Sequence, residues 1–191
     1  MNTTPEILLA SASPRRRQLL EHLHIPFVCT SCDVDETMPT DCSPEEAVLR
    51  IAARKACAAR ELPESEGRII IAADTIVVLD GVIFGKPTDE EDARAMLQQL
   101  SGRKHYVHTG VCIFPPSGGS YTFCDTTEVL FYPLSEAAID RYIRTGEPMD
   151  KAGAYGIQGD GAMLVEAIFG SYHNVVGLPI SRLGQVLQSI I

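Results

Sequence analysis

A long and mostly apolar run, Ile69–Leu79, constrains the fold more than any other part of the sequence. Its side chains are largely aliphatic and β-branched, a pattern typical of a buried β-strand. The dipeptide Asp80-Gly81 follows and predicts a hairpin turn into a second, shorter strand, Val82–Phe84. One carboxylate, Asp74, lies inside the run, and its presence there needs an explanation.

Asp74 is a candidate for chemistry because of its apolar neighbours in the sequence. An ionised carboxylate in such a segment costs on the order of several kcal/mol unless a metal ion or a cationic side chain compensates its charge. Such a group is a candidate metal ligand or general base. The alternative is an Asp at a bulge or strand end that caps local backbone groups, and the local pattern leaves both interpretations open.

Strands and helices are predicted in an interleaved order along the whole chain. Further strands are expected at about 7–10, 25–30, 106–114, 121–132 and 162–168, and helices at about 13–24, 43–60, 88–102, 135–146 and 180–191. Two capping boxes, Ser43 with Glu46 and Thr88 with Glu91, mark helix starts. Because hairpin and crossover connections both occur, we expect an α/β fold with a mixed sheet. No linker or repeat divides the chain, so residues 1–191 are predicted to form one domain.

The turn after the first strand is a candidate anion site. The segment Ser11-Ala12-Ser13-Pro14-Arg15-Arg16-Arg17 places serines and three arginines at a predicted helix start, where backbone N–H groups and the positive end of the helix dipole converge. Cations are unfavourable at that end, and a bound phosphate would reverse the penalty. The alternative is a solvated basic turn whose charges pair with nearby carboxylates.

Two lysines and a glutamate are candidate partners of Asp74. Lys55 lies at the edge of the apolar face of its predicted helix, where it must extend to solvent or meet an anion. Lys86 lies in Gly85-Lys86-Pro87, where proline restrains the backbone and glycine admits a ligand. Glu36, in an acidic loop, is a candidate second carboxylate for a metal. Each of the three is otherwise an ordinary surface residue.

A glycine-rich segment, 150–161, is a candidate base-recognition loop. Four glycines surround Tyr155 and Gln158 there, which favours backbone that passes close to a ligand. The carboxamide of Gln158 offers one donor and one acceptor to a planar base. The alternative is a flexible connection between two strands. A similar glycine-flanked loop is expected at 170–179.

The charge of the chain limits its partners. The sequence has 16 basic and 25 acidic residues, a formal charge of −9, which disfavours binding to a polymeric nucleic acid. Any phosphate ligand therefore requires a local basic site. The N-terminus lacks a charged leader region, and the apolar stretch after it is too short for a signal peptide or a membrane span. We therefore expect a cytoplasmic protein with no membrane partner and with reduced cysteines.

Taken together, these segments resemble the Maf-type nucleoside triphosphate pyrophosphatase family. The matching segments occur in the family's order over nearly the whole chain. They are Ser11-Ala12-Ser13-Pro14-Arg15-Arg16, Asp35-Glu36 with Pro39, the helix carrying Lys55, Ala73-Asp74-Thr75, Gly85-Lys86-Pro87, Leu100-Ser101-Gly102 with His105 and Thr109-Gly110, the segment 151–159, and Gly170-Ser171-Tyr172 with Asn174-Val175-Val176-Gly177-Leu178-Pro179. The form of residues 155–159 is similar to the branch that acts on dTTP and UTP.

The resemblance implies a fold and a reaction. The fold would be like that of the inosine-triphosphate pyrophosphatase group, an elongated mixed β-sheet flanked by helices, with two lobes around a deep cleft. The reaction would be cleavage between the α- and β-phosphates of dTTP, UTP or modified pyrimidine nucleotides, a house-cleaning hydrolysis that yields the nucleoside monophosphate and pyrophosphate. A homodimer is a further expectation.

The resemblance also implies roles for individual residues. Asp74 would be the general base for the attacking water, and Glu36 and Asp74 would hold a divalent cation. Magnesium or manganese is expected, because carboxylate oxygens are hard ligands. The substrate-binding residues would be Ser11, Ser13, Arg15, Arg16, Lys55, Thr75, Lys86 and Gln158. Among them, Arg16, Lys55 and Lys86 would neutralise the triphosphate, and Arg15, Thr75 and Gln158 would tune substrate choice.

Two other functions stay open at this point. The family's older label, septum formation inhibitor, suggests a regulator that binds a nucleotide or a division component without depending on turnover. A sugar-phosphate or nucleotide-transfer enzyme could use the same basic residues. Asp74 favours an enzyme, because a pure nucleotide-binding module has little reason to keep a carboxylate near a polyanion.

Overall fold

Seven strands form one mixed β-sheet within residues 6–190, the part of the chain that the computed structural model describes. The strands are β1 (Ile7–Ala10), β2 (Phe27–Thr30), β3 (Ile69–Leu79), β4 (Val82–Phe84), β5 (Lys104–Phe114), β6 (Tyr121–Phe131) and β7 (Val165–Phe169). Their order across the sheet is β2-β1-β3-β5-β6-β7, and β4 pairs with β3. Because β1 is parallel to β2 and β3 whereas β7 is antiparallel to β6, the predicted mixed sheet is confirmed.

Six helices accompany the sheet in the described residues. They are α1 (Pro14–Glu21), α2 (Pro44–Arg60), α3 (Glu90–Leu100), α4 (Glu136–Ile143), α5 (Tyr172–Val176) and α6 (Ile180–Gln188). Short 3-10 turns occur at Pro63–Ser65, Glu147–Asp150, Ala152–Ala154 and Gly159–Leu164. Over residues 6–190, no helix combines the length and the apolar character that crossing a bilayer requires.

The chain divides into two compact units. Unit 1 takes the residues up to Asp74, Thr109–Asp125 and those from Gly177 on, and unit 2 takes Thr75–His108 and Thr126–Val176. The prediction of one domain over residues 1–191 stays a prediction. Residues 1–5, on which the expectation about a leader rests, and residue 191 lie outside the described residues.

Small side chains bring α2 close to the strands of unit 1. Ala52 and Ala56 of this helix are fully buried against a cluster that includes Ile70 of β3. On β5, a Cβ at Gly110 would lie 2.8 Å from the backbone carbonyl carbon of Val48 in α2, closer than real Cβ atoms come. Glycine is therefore required at that crossing, and α2 is held where its side chains reach the middle of β3.

Register places the carboxyl ends of the parallel strands β1 and β2 beside the middle of β3, which continues to Leu79. Ala10 of β1 is in register with Thr30 of β2 and with Ala72 of β3. The residues that follow these positions therefore lie side by side in unit 1. Ser11 begins the turn after β1, and Asp74 lies two residues further along β3. In open α/β sheets, ligands bind outside the carboxyl ends of the strands, which here are the ends of β1 and β2.

The start of α3 corrects a predicted helix cap. The carboxylate of Asp89 accepts a 2.8 Å hydrogen bond from the N–H of Asp92, and the carboxylate of Asp92 accepts a 2.9 Å bond from the N–H of Thr88. The predicted capping box of Thr88 with Glu91 is wrong, because Asp89 is the cap and Asp92, rather than Glu91, bonds back to the N–H of Thr88.

Near the C-terminus, tertiary contacts override two local patterns. The predicted strand 162–168 begins only at Val165, since Gly159–Leu164 forms a 3-10 turn. The strand starts where pairing with β6 starts, at the register of Val165 with Phe131. The loop predicted at 170–179 contains the short helix α5, which shows that local composition alone did not separate a helical turn from a loop.

Candidate active site

Lys55 joins two carboxylates in unit 1. Its ammonium nitrogen Nζ lies 2.8 Å from Oδ1 of Asp74 and 2.9 Å from Oε1 of Glu36. The side chains of Lys55 and Asp74 are 12% and 10% exposed, whereas that of Glu36 is 54% exposed. Charges so far from solvent are stable only when paired. The three side chains therefore form one electrostatic cluster with an excess of negative charge.

The helical pattern of α2 determines where Lys55 lies. Ile51 and Ala52 are fully buried, and Lys55 continues their face of the helix toward β3. The sequence left two positions open for its ammonium group, in solvent or beside an anion. In the structure the ammonium lies beside the carboxylate of Asp74. Lys55 is also the compensating cation that the apolar surroundings of Asp74 required.

Arg16 brings a second cation to these carboxylates. Its Nε donates a 2.8 Å hydrogen bond to the carbonyl oxygen of Gly177, and its Nη1 lies 3.5 Å from Oγ of Ser11. Burial lowers the pKa of Arg16, while the negative charges of Asp74 and Glu36 act to raise it. A guanidinium remains protonated in proteins, so Arg16 carries a fixed positive charge here.

The serines of the predicted anion turn shape the start of α1. Oγ of Ser13 accepts a 3.4 Å hydrogen bond from the N–H of Arg16, and Oγ of Ser11 accepts a 3.2 Å bond from the N–H of Ser13. A hydroxyl that accepts one bond can still donate its own O–H. The turn therefore keeps donors for an anion, although the phosphate site itself stays a prediction. Arg15 is half-buried in the same turn.

A hollow of about 310 Å³ opens beside this turn. Its lining residues are Ser11, Ala12, Ser13, Pro14, Arg17, Cys29, Thr30 and Ser31. Thr30 and Ser31 were not among the residues predicted from the sequence. They could have been predicted, because they come at the end of a strand parallel to β1. The carboxyl ends of adjacent parallel strands lie at the same edge of a sheet.

Arg54 holds the loop that carries Glu36. Its Nη1 donates to the backbone carbonyl oxygens of Asp35 and Thr37, at 3.1 and 3.2 Å, so both neighbours of Glu36 are tied to α2. The carboxylate of Asp35 accepts a 2.9 Å bond from the N–H of Thr37, and hydrogen bonds from Thr37 lower the pKa of Asp35. Arg54 was not among the residues predicted from the sequence. The one signal for it in the sequence was its position next to Lys55.

Unit 2 holds the remaining predicted residues. Thr75 lies in β3 and is partly buried, whereas Lys86 and Gln158 are exposed. The loops of Lys86 and Gln158 meet where the N–H of Gly153 donates a 2.9 Å bond to the carbonyl oxygen of Gly85. The predicted site residues are thus distributed as Ser11, Ser13, Arg15, Arg16, Glu36, Lys55 and Asp74 in unit 1, and Thr75, Lys86 and Gln158 in unit 2.

An aromatic cluster anchors the glycine-rich loop in the core of unit 2. The hydroxyl of Tyr155 lies 2.7 Å from Nε2 of His105, and the rings of His105 and Phe131 pack edge-on against Tyr155. Burial lowers the pKa of His105 to about 4 and raises that of Tyr155. Ile157 is also buried while Gln158 is exposed. The loop is therefore anchored in the core, unlike the flexible connection that was the alternative.

Glu36 and Asp74 are the residues that could hold a divalent cation. Both contact the same ammonium group, so the two carboxylates are close neighbours. Magnesium is commonly bound by one or two carboxylates together with substrate phosphates. Residues 6–190 contain no group of three or more His, Cys, Asp or Glu side chains suited to a metal ion. The carboxylate oxygens of Glu36 and Asp74 are hard ligands of the kind that such a cation takes, and the metal site itself stays a prediction.

Sequence comparison identifies near full-length relatives. A family model of Maf-like proteins matches residues 6–190. A dTTP/UTP pyrophosphatase of Halalkalibacterium halodurans is 50% identical over 182 residues, which cover 95% of this chain and 94% of that protein. A dTTP/UTP pyrophosphatase of Bacillus velezensis is 49% identical over 185 residues, covering 97% and 96%.

Solved structures share the fold at low sequence identity. A Ham1 protein of Staphylococcus aureus matches with a TM-score of 0.57 at 16% identity, covering 96% of this chain and 98% of that one. A Ham1 protein of Coxiella burnetii matches with a TM-score of 0.54 at 17% identity, covering 97% and 99%. These likenesses concern the fold alone, and they confirm the predicted class, a mixed α/β sheet flanked by helices.

Proposed function

The chain belongs to the Maf family, and from that premise we propose that it is a nucleoside triphosphate pyrophosphatase that hydrolyses dTTP and UTP. Three relatives named dTTP/UTP pyrophosphatase are 49–52% identical to it over nearly its full length. The observation that carries the proposal is the pairing of Asp74 with Lys55, and of Lys55 with Glu36, just beyond the part of β3 that pairs with β1. Hydrolysis of a phosphoric anhydride is favoured by such a combination, a group that positions the attacking water beside cations that stabilise the leaving phosphate.

We assign Asp74 as the general base. Lys55 donates a 2.8 Å hydrogen bond to Oδ1 of Asp74, which orients the carboxylate. The other oxygen, Oδ2, takes a proton from a water molecule as the water oxygen bonds to the α-phosphorus. The bond from the α-phosphorus to the bridging oxygen breaks, and pyrophosphate leaves with its electron pair. The nucleoside monophosphate forms, and the proton passes from Asp74 to solvent.

Fixed cations stabilise the charge that develops on the leaving pyrophosphate. We assign this role to Arg16, Lys55 and Lys86, with Ser11 and Ser13 donating O–H groups to phosphate oxygens. Arg16 is supported by its place in the field of Asp74 and Glu36. Preorganised donors of this kind are usually the largest single contribution to such a reaction.

A divalent cation is part of the proposal. Glu36 and Asp74 would hold magnesium or manganese, since their carboxylates share one ammonium and so carry a negative excess. When bound, the cation supplies charge neutralisation of the phosphates. Removal of either carboxylate should therefore weaken the response of the enzyme to added metal.

Gln158 is proposed to select the base, with Arg15 and Thr75 adjusting the choice of substrate. A carboxamide carries one acceptor and two donors, which can pair with the N3–H donor and the O4 acceptor of uracil or thymine. Gln158 is exposed at the tip of an anchored loop, so its polar atoms can reach a ligand. Loss of this side chain should change the ranking of nucleotides rather than abolish hydrolysis.

The cellular role proposed is house-cleaning of free pyrimidine nucleotides, canonical or modified, in the cytoplasm, by a chain that forms a homodimer. The formal charge of −9 disfavours polymeric nucleic acid as a ligand. A small triphosphate bound to a metal carries less charge and meets a local cluster of cations instead. The proposed substrates are therefore free nucleotides.

The test is a hydrolysis panel. Pyrophosphate and orthophosphate are measured separately from dTTP, UTP, CTP, ATP, GTP and modified pyrimidine triphosphates, with and without magnesium. We expect pyrophosphate from dTTP and UTP in the presence of the metal. Orthophosphate as the first product would indicate a different bond, and nucleotide binding with no product would favour the regulatory alternative.

Two variants test the assignment of the base. Asp74→Asn should reduce turnover by roughly 10³-fold while nucleotide binding and the fold persist. Asp80→Asn, at an exposed hairpin turn, is the matched control and should turn over normally. Near-normal hydrolysis by Asp74→Asn would exclude Asp74 as the base.

A further inference from the structure

Two side chains hold the backbone of the glycine-rich loop on both sides of Gln158. The hydroxyl of Tyr142, on α4, accepts a 3.1 Å hydrogen bond from the N–H of Gly156. The carboxylate of Glu147 accepts bonds from the two N–H groups at 160–161, at 3.2 and 3.4 Å. Gln158 thus lies two residues after one anchored position and two residues before the other.

The loop packs tightly around these two anchors. A Cβ at Gly159 would overlap Oε1 of Glu147. A Cβ at Gly161 would overlap the carbonyl oxygen of Gly156 and would lie 2.8 Å from the hydroxyl of Tyr142. Real Cβ atoms essentially never come so close. The glycines therefore let Tyr142 and Glu147 reach the loop backbone, which gives the spacing of these glycines a physical reason.

The anchors set a fixed orientation for the residues between them. Tyr142 is almost fully buried, and burial raises its pKa to about 12, with the charge of Glu147 adding to the effect. Its hydroxyl therefore stays neutral at physiological pH and can accept the bond from Gly156. Between the anchors, Ile157 is buried and Gln158 is exposed.

We propose that Glu147 and Tyr142 are positioning residues that determine base selectivity by holding Gln158 in place. This inference rests on the proposed function, in which Gln158 recognises the base. Uracil and thymine offer an N3–H donor and an O4 acceptor, whereas cytosine offers an N3 acceptor and an N4 amino donor. A carboxamide that is free to move and rotate can pair with either uracil or cytosine. Selection of uracil over cytosine therefore depends on a backbone that holds the carboxamide in one position.

The experiment compares kcat/KM for UTP with kcat/KM for CTP. In Glu147→Ala the ratio should fall about tenfold, which corresponds to the free energy of one hydrogen bond. The fall should come from a higher KM for UTP, while kcat stays within about twofold of normal. Tyr142→Phe, which keeps the ring and loses the hydroxyl, should act in the same direction. Glu147→Gln keeps one acceptor oxygen and should restore part of the ratio. Glu136→Ala, an exposed carboxylate of α4, is the matched control.

A double-variant cycle shows whether the effect passes through Gln158. With Gln158→Ala already present, Glu147→Ala should change the ratio no further. Amide hydrogen exchange of the free protein should rise at 156–161 in both Glu147→Ala and Tyr142→Phe. Unchanged exchange there, or an equal fall of the ratio with and without Gln158, overturns the inference.

The two proposals fail in different ways. If the unsubstituted protein releases no pyrophosphate from dTTP or UTP, the proposed function is wrong, while the exchange measurement still reports on the anchors. If it releases pyrophosphate and prefers UTP, but Glu147→Ala and Tyr142→Phe prefer UTP equally strongly, the positioning role is wrong. Circular dichroism of each variant separates a local change from loss of the fold.

Discussion

Lys55 of α2 and Asp74 of β3 form a 2.8 Å ion pair although 19 positions separate them in the sequence. Neither charge would be stable alone at so low an exposure. The pair also brings Glu36, on a loop before α2, to the same ammonium group. The stability of this region and the arrangement of the candidate active site therefore depend on the same contact.

Removal of the ammonium should destabilise the fold. Lys55→Met leaves Asp74 buried without its partner, and breaking a buried pair in this way costs about 3 kcal/mol. Urea unfolding followed by circular dichroism measures the loss. Lys104→Met breaks an exposed pair with Glu128 and should lower the free energy of unfolding much less than Lys55→Met does. Equal losses in the two variants would contradict a buried pair.

The loop held by Arg54 should affect the response to metal. In Arg54→Ala the backbone carbonyls beside Glu36 lose their common donor, so Glu36 is less well placed. We expect the magnesium concentration for half-maximal rate to rise about fivefold, with the rate at saturating magnesium nearly unchanged. Arg50→Ala, which removes contacts only to Asp41 and Glu46, should leave the magnesium response as it was.

His105 should make stability depend on pH. Its pKa is about 4 in the folded protein against 6.5 ordinarily, so below pH 6.5 the unfolded chain binds a proton that the folded chain does not. Stability from this group is complete above pH 6.5 and is lost as the pH falls toward 4. Between pH 7 and pH 5 the loss is roughly 2 kcal/mol.

The variant His105→Gln isolates this effect. Between pH 7 and pH 5, the free energy of unfolding should fall in both proteins. The fall should be smaller in His105→Gln than in the unsubstituted protein, and the difference between the two falls should be roughly 2 kcal/mol. His22→Gln, at an exposed position, should show the original dependence. Parallel pH profiles for the unsubstituted protein and His105→Gln would show that His105 is not the group responsible.

Gly153 should tolerate no side chain. Its φ is +67°, and a Cβ would lie 2.9 Å from Cγ1 of Val77, so Gly153→Ala combines backbone strain with a clash in the core. We expect a loss of about 3 kcal/mol, measured as a lower Tm. Gly118→Ala has a positive φ but no atom within 4 Å and should cost only about 1 kcal/mol. A smaller effect at Gly153 than at Gly118 would contradict the close packing.

Local sequence patterns predicted those strands and helix starts whose stability depends on neighbouring residues in the sequence. The strand Ile69–Leu79 was predicted to the residue, because an apolar β-branched run of this length has few other stable conformations. The serine cap at Ser43 was predicted for the same kind of reason, since its hydroxyl satisfies the N–H group three residues away. Where neighbouring residues competed, as at Thr88 and Asp89, the pattern was not sufficient.

Long-range contacts account for the features that the sequence did not predict. The clamp of Arg54 on the loop around Glu36 and the anchors of Tyr142 and Glu147 on the glycine-rich loop are all bonds to backbone atoms. Any residue has such backbone groups, so no pattern of side chains signals which of them will be bound. Their partners become known only when the strands and helices have been placed.

The sequence by itself determined the residue types available for chemistry and the family to which they belong. It identified Asp74 as a charge that needs a partner, because its neighbours in the strand are apolar. The tertiary structure decided that the partner is Lys55, that Glu36 shares the same ammonium group, and that Gln158 is exposed between two anchored positions. The physical reason is that the energy of a charge depends on distance and burial, and both are properties of the folded chain.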